Sequence, residues 1–214
     1  MAPVRFDVVV FDLGGVLVQI AHDWRTAHTL AGFDPHPVLD DADFERAFVE
    51  FGSAYQLGVL STADFTQRQA EASRGAYTPA QIERILEAWS GLEYPDIHTV
   101  IDVIEAAGVA TAALSNTNPA HWARLDGTAE YPTVARLQHR HASHLLGLMK
   151  PDPRTFAAFS ARTGFDGART LYFDDSTTNV EAARAAGWSA AGVDPRQPTA
   201  PQLLAHLRSH GFEA

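Results

Sequence analysis

Apolar residues run unbroken along Val8-Val9-Val10-Phe11 and resume at Leu13, Val16, Leu17 and Val18, with Asp12, Gly14 and Gly15 set among them. A stretch this rich in β-branched and aromatic residues predicts a strand of a parallel sheet, buried on both faces. Asp12 then stands at the strand's carboxyl end, where ligands bind in open α/β sheets. The glycines beside it can take a positive φ and let a ligand approach the backbone. Past Val18 the hydrophobic period changes to that of a helix. Trp24–Ala31, Asp40–Gln56, Ser61–Ser73 and Thr78–Ser90 read as helices, the second with Phe44, Ala47, Phe48 and Phe51 on one face. Ser61 and Thr78 are cap residues for the last two, and Pro79 suits a first helical turn.

From Ile97 onward helices and strands alternate. The pattern predicts helices over Ile97–Ala107, Pro119–Leu125, Asp152–Thr163, Thr177–Ala186 and Pro201–His210. Between them it predicts strands over Val109–Leu114, Thr133–His141, Thr170–Phe173 and Trp188–Val193. Such alternation implies an α/β protein with a doubly wound parallel sheet. The helical segment after the first strand reads as an insert, placing the core at 1–20 and 92–214 and the insert at 21–91.

Composition narrows the function classes. A net charge of −10 over 214 residues argues against nucleic acid as a partner. There is no cysteine, so disulfide and thiol chemistry are excluded. No basic-then-apolar signal pattern or spanning apolar run is visible, so a cytoplasmic chain with no membrane partner is expected. Of sixteen basic residues one alone, Lys150, is lysine. A compact ammonium can be shared by a carboxylate and a phosphate oxygen where a guanidinium fork would crowd them.

Asp12, Ser115, Lys150 and the Asp174-Asp175 pair all fall at predicted strand ends or just before helices. Right-handed crossovers bring those ends to one edge of the sheet. Carboxylates, a hydroxyl and an amine around a glycine turn suit a site for Mg²⁺ and a phosphate.

Phe-Asp-Leu-Gly-Gly at 11–15, Leu-Ser-Asn-Thr-Asn at 114–118, Lys-Pro-Asp-Pro at 150–153 and Tyr-Phe-Asp-Asp-Ser at 172–176 resemble the four ordered motifs of the haloacid-dehalogenase (HAD) superfamily. Within it, the Gly-Gly form of the first motif is similar to that of sugar-phosphatase-like members such as glucose-1-phosphate phosphatases. The resemblance implies a Rossmann-like core with a helical cap, and a Mg²⁺-dependent phosphatase acting on a small phosphorylated metabolite. It implies Asp12 as nucleophile, with Ser115 and the Asn116 backbone N–H holding the phosphoryl oxygens. Lys150 would neutralise both phosphate and Asp12. Asp12, the Gly14 carbonyl and Asp175 would bind Mg²⁺, with Asp174 sharing it or holding a ligated water. Asn179 falls where some relatives carry another acid.

Most phosphatases of the superfamily carry a second Asp, the general acid, two residues after the nucleophile; here that residue is Gly14. General acid–base help is worth roughly 10²–10⁴-fold. Two rivals therefore stand beside the phosphatase: a carbon–halogen hydrolase, which needs neither that acid nor a metal, and a silent phosphate-binding protein. His22, Asp23 and His121 lie near the motifs as candidate substrate contacts, and His22 or Asp23 could supply the missing proton. Phe48, Phe51, Tyr55 and Gly58 could face the site from the insert. His139, His141 and His144 cluster without an acid among them and read as packing more readily than as a metal site.

Overall fold

The computed structural model describes residues 5–213. Its strands are Val8–Phe11 (β1), Val18–Ile20 (β2), Ser90–Glu93 (β3), Ala110–Ser115 (β4), His139–Ala142 (β5), Thr170–Asp174 (β6) and Ser189–Gly192 (β7). Its helices are Trp24–Leu30 (α1), Ala42–Gln56 (α2), Thr62–Ala72 (α3), Pro79–Glu87 (α4), Ile97–Ala106 (α5), Pro119–Leu125 (α6), Pro132–Ala135 (α7), Ser143–Leu146 (α8), Pro153–Thr163 (α9), Thr177–Ala185 (α10) and Thr199–Ser209 (α11).

β1 is the centre of a five-stranded parallel sheet ordered β5-β4-β1-β6-β7. Its alternation decides the layers. Val8 and Val10 pack with Phe156, Phe159, Tyr172 and Trp188 on the face covered by α9 and α10. Val9 and Phe11 pack with Ile101, Ile104, Leu203 and Leu207 on the face covered by α5 and α11. Every residue of β1 is fully buried, as a central parallel strand requires. All five strands run the same way, so their carboxyl ends share one edge.

The helical insert has its own core, in which Tyr55, Phe65, Ile82, Ile85 and Leu86 pack together. Capping sets its helix starts. Asp41 caps α2, Ser61 caps α3, and Thr78 with Gln81 forms a capping box ahead of Pro79 in α4. The molecule is therefore an α/β core with a parallel sheet and an inserted helical cap.

Two elements differ from the sequence reading. Past Val18 the chain forms β2, which pairs antiparallel with β3 to make a two-stranded ribbon between core and cap; Ser90 is thus strand, and α4 ends at Glu87. The expected strand Thr133–His141 starts only at His139. The segment before it winds into α7, because Pro132 occupies the first helical turn and Glu93 Oε1 accepts from Thr133 N (2.7 Å) and Val134 N (2.9 Å). A side chain from another element supplies that cap, which no local pattern announces.

Candidate active site

β1 ends at Phe11, and Asp12 N donates to Phe173 O at 2.8 Å, continuing the ladder by one residue. The chain then folds back, with Leu17 N and Val18 N both donating to Leu13 O (2.9 and 2.8 Å). That turn needs Gly15, whose φ is +73° and whose Cβ position lies 2.5 Å from Asp175 Oδ2. A side chain at 15 would be strained and would collide with the acid. Asp12 Oδ1 accepts from Leu13 N at 2.7 Å and lies 3.2 Å from Lys150 Nζ.

Lys150 is fully buried and sits between two acids. Its Nζ donates to Asp174 Oδ2 (2.8 Å) and to the Tyr172 hydroxyl (2.7 Å), which itself donates to Asp174 Oδ2. Asp174 also accepts from Ser176 N at 2.8 Å and from Asn179 Nδ2 at 3.1 Å, so both its oxygens are engaged. The loop after β4 is joined to Lys150 by a reciprocal pair. Asn116 Nδ2 donates to Lys150 O (2.8 Å), and Lys150 N donates to Asn116 Oδ1 (2.9 Å).

Oxygens of Asp12, Asp174 and Asp175 lie within 4.8 Å of one another, the one such metal-capable group among the described residues. Burial and the charges of Asp174 and Asp175 push Asp12 up to about 7 despite Lys150 opposite. Burial and Asp174 likewise raise Asp175. Burial also opposes the charge on Asp174, but Lys150 and the hydrogen bonds outweigh it and hold that acid below the ordinary carboxylate value. Three acids face one ammonium, an imbalance that a hard divalent cation with oxygen ligands would correct. The donor set therefore fits Mg²⁺.

A cavity of about 200 Å³ opens above these groups. Asp12, Gly14, Ser115, Asn116 and Asp175 form its floor, and Phe48, Tyr55, Phe65, Leu86 and Trp89 of the cap close it. All seven site residues expected from sequence thus meet at one sheet edge, with Lys150 and Asp174 just beneath the floor. Of the cap candidates, Phe48 and Tyr55 reach the cavity. Phe51 instead lies under the Arg68 guanidinium, and Gly58 abuts the His144 backbone.

The histidines and Asp23 fare differently. His22 and Asp23 line a separate cleft, where Asp23 caps α1 by accepting from Thr26 N. His121 does line the cavity, but its Nε2 is 2.8 Å from Leu86 O and its Nδ1 is 3.1 Å from Asn118 Nδ2. A neutral ring donating to Leu86 and accepting from Asn118 satisfies both contacts, and burial pushes its pKa down. His139 and His141 turn their rings edge-on to Phe165 and Phe159.

Two residues of the site were missed in the sequence. Tyr172 shares a strand face with Asp174, and its hydroxyl in so apolar a strand was the available signal. Ile20 covers Gly14: a Cβ there would stand 3.2 Å from Ile20 Cδ1 and Cγ2. A side chain at 14 would have to press the Ile20 alkyl chain aside by a few tenths of an ångström.

The sequence is 31% identical over 217 residues to Phosphatase MT3486 of Mycobacterium tuberculosis, across 95% of this chain and 94% of that one. It is 28% identical to a phosphoglycolate phosphatase of Mesorhizobium japonicum, across 87% of this chain and 82% of that one. The fold superposes on a HAD family enzyme of Bacteroides thetaiotaomicron, solved in complex with magnesium and inorganic phosphate. Its TM-score is 0.70 at 18% identity, covering 90% of this chain and 96% of that one. Residues 6–187, a span that holds the lysine-paired Asp12 and all four motifs, match the haloacid dehalogenase-like hydrolases, and the chain belongs to that family of enzymes.

Proposed function

We propose that this enzyme is a Mg²⁺-dependent phosphatase hydrolysing a small phosphomonoester, with a sugar phosphate as the substrate suggested by its first motif. The observation that carries the reading is the buried ammonium of Lys150 held 3.2 Å from Asp12 Oδ1 under a cluster of three carboxylates. Phosphoryl transfer needs positioning and charge neutralisation above all. A carbon–halogen hydrolase needs no metal, so the metal-capable cluster of acids counts against that reading. Magnesium in the fold neighbour and phosphatase in the name of the relative at 31% identity agree with the reading.

Asp12 attacks phosphorus, the bond to the ester oxygen breaks, and an aspartyl-phosphate forms. Water then attacks phosphorus, which releases inorganic phosphate and regenerates the Asp12 carboxylate. Ser115 and the Asn116 backbone N–H hold the phosphoryl oxygens, while Lys150 offsets the charge shared between Asp12 and the phosphoryl group. Asp12, Asp175 and the Gly14 carbonyl would hold Mg²⁺, which supplies further charge neutralisation when bound. Asp174, with both oxygens already engaged, orients Lys150. No side chain at 14 protonates the departing oxygen, so esters with acidic leaving groups are favoured.

The test is a panel of phosphate esters assayed with Mg²⁺ and with chelator, for the native enzyme and for Asp12→Asn. Metal-dependent release of phosphate is expected from the native chain. Asp12→Asn is expected to lose roughly 10⁴-fold or more while melting at nearly the same temperature. Activity retained in that variant would remove Asp12 as the nucleophile.

A further inference from the structure

The cavity above Asp12 has a charge distribution that bears on the leaving group. Among the described residues lining it there is no arginine or lysine. Its formal charges are those of Asp12 and Asp175, both acidic and both at the floor. The ammonium of Lys150 lies beneath that floor, fully buried and already shared by Asp12 and Asp174. The titratable side chains nearer the cap are Tyr55, whose hydroxyl meets Thr62 Oγ1 and accepts from Ala120 N, and His121, whose two ring nitrogens are taken by Leu86 O and Asn118. A buried ring in that arrangement stays neutral.

The cap side is aromatic. Phe48 and Trp89 lie with their rings 6.0 Å apart and inclined by 29°, forming one continuous apolar wall, and Tyr55 and Phe65 stack at 4.7 Å beside it. Ile20 and Leu86 add alkyl surface. A carboxylate on the leaving group would shed its water and meet no arginine or lysine on the cavity wall, away from the cation site at the floor. Burial of a charge without a partner is strongly unfavourable. A ring with an apolar face gains contact with Phe48 and Trp89 instead.

We infer that, if the site is the phosphoryl-transfer site proposed above, it takes monoesters of an uncharged ring with an apolar face and turns away esters whose leaving group carries a carboxylate. A phenol and the C–H face of a pyranose share this chemistry. Phosphoglycolate, whose leaving group is a small carboxylate, lacks it. The chain therefore differs in specificity from the phosphoglycolate phosphatase that it resembles at 28% identity. Cap residues Phe48 and Trp89 are the specificity determinants.

Binding and turnover test this separately. Benzylphosphonate and phosphonopropionate are non-hydrolysable counterparts of phenyl phosphate and phosphoglycolate. Calorimetry with Mg²⁺ present is expected to show benzylphosphonate bound about 10- to 100-fold more tightly, the discrimination that one unpaired charged group carries. The kcat/KM values for phenyl phosphate and glucose 1-phosphate should exceed that for phosphoglycolate by a similar factor, and their ranking distinguishes an aryl from a sugar ring. Gln56, on the cavity wall at the end of α2, is uncharged. Gln56→Lys should narrow the gap by raising affinity for phosphonopropionate. Equal or tighter binding of phosphonopropionate by the native enzyme, or binding of neither analogue, overturns the inference. Selective binding without hydrolysis of any ester would uphold it and remove the phosphatase reading.

Discussion

The floor and the ceiling of the cavity are built on opposite plans. At and just beneath the floor, charged and polar side chains hold one another: Lys150 has three partners, Asp174 has four, and Asn116 is bonded twice to the Lys150 backbone. The ceiling is shaped by aromatic packing, and behind it the cap core leaves Trp24 Nε1, His28 Nε2 and the Gln69 amide without partners among the described residues. Bonds of fixed length hold the reacting groups in place, whereas packing holds a shape that can be changed one side chain at a time. In the proposed reading, chemistry is over-determined in the core and selectivity is adjustable in the cap.

The largest effect should come from breaking the floor. Lys150→Arg is expected to be nearly as damaging as Lys150→Ala, each lowering kcat by about 10³-fold. The site gives the ammonium no solvent-facing room, and a fork would displace either Asp12 or Asp174. Steady-state rates decide; recovery of most activity by Arg would mean that charge alone matters.

The seam between the two regions should respond next. Gly58 has a φ of +73°, and a Cβ there would lie 2.4 Å from His144 O, where the end of α2 meets α8. Ser143 Oγ donates to Gln56 O (2.6 Å) at the same seam. Gly58→Ala should cost about 1–3 kcal/mol of stability from backbone strain alone and raise KM more than it lowers kcat. A melting curve and a kcat-against-KM comparison test both parts.

A smaller effect is expected at Gly14. Gly14→Asp alone should give little gain, because its Cβ would press on Ile20 at 3.2 Å. Paired with Ile20→Ala, it should raise turnover of alkyl phosphates, and by more than it raises that of aryl phosphates. A double-mutant cycle on kcat measures the coupling.

The mildest change is a pH dependence of the metal-free protein. Burial raises Asp12 from 3.8 to about 7, so the folded state holds a proton that the unfolded chain releases. That contribution to stability is complete below about 3.8 and is lost as pH rises through about 7. The melting temperature of metal-free protein should therefore fall across this window. The shift produced by saturating Mg²⁺ should grow across it, as proton and metal compete for one carboxylate. Differential scanning calorimetry with and without the ion follows both.

The same contrast explains what the sequence disclosed. Asp12 could be found because a carboxylate ends an apolar strand, and Lys150 because it is the one lysine among sixteen basic residues. Such groups are chemically conspicuous wherever they fall. Ile20 over Gly14 could not be found, since it is an ordinary aliphatic residue whose meaning comes from a contact across the β2 turn. The β2–β3 ribbon escaped for a related reason. Strands of three and four residues carry too little alternation, and Ser90 reads as the tail of a helix until Ile20 pairs with it. Of the cap aromatics, helical spacing alone could not say that Phe48 faces the cavity while Phe51 packs under Arg68.

In the proposed mechanism the floor supplies a nucleophile and charge neutralisation but no proton for the leaving group. Its most direct test is a plot of log rate against leaving-group pKa for aryl and alkyl phosphates, under single-turnover conditions with saturating Mg²⁺. A steep negative slope is expected, unchanged in His22→Ala and Asp23→Ala, since both residues lie in a different cleft. A flat slope in the native enzyme would contradict it, because a proton would then be reaching the departing oxygen from a group at the site.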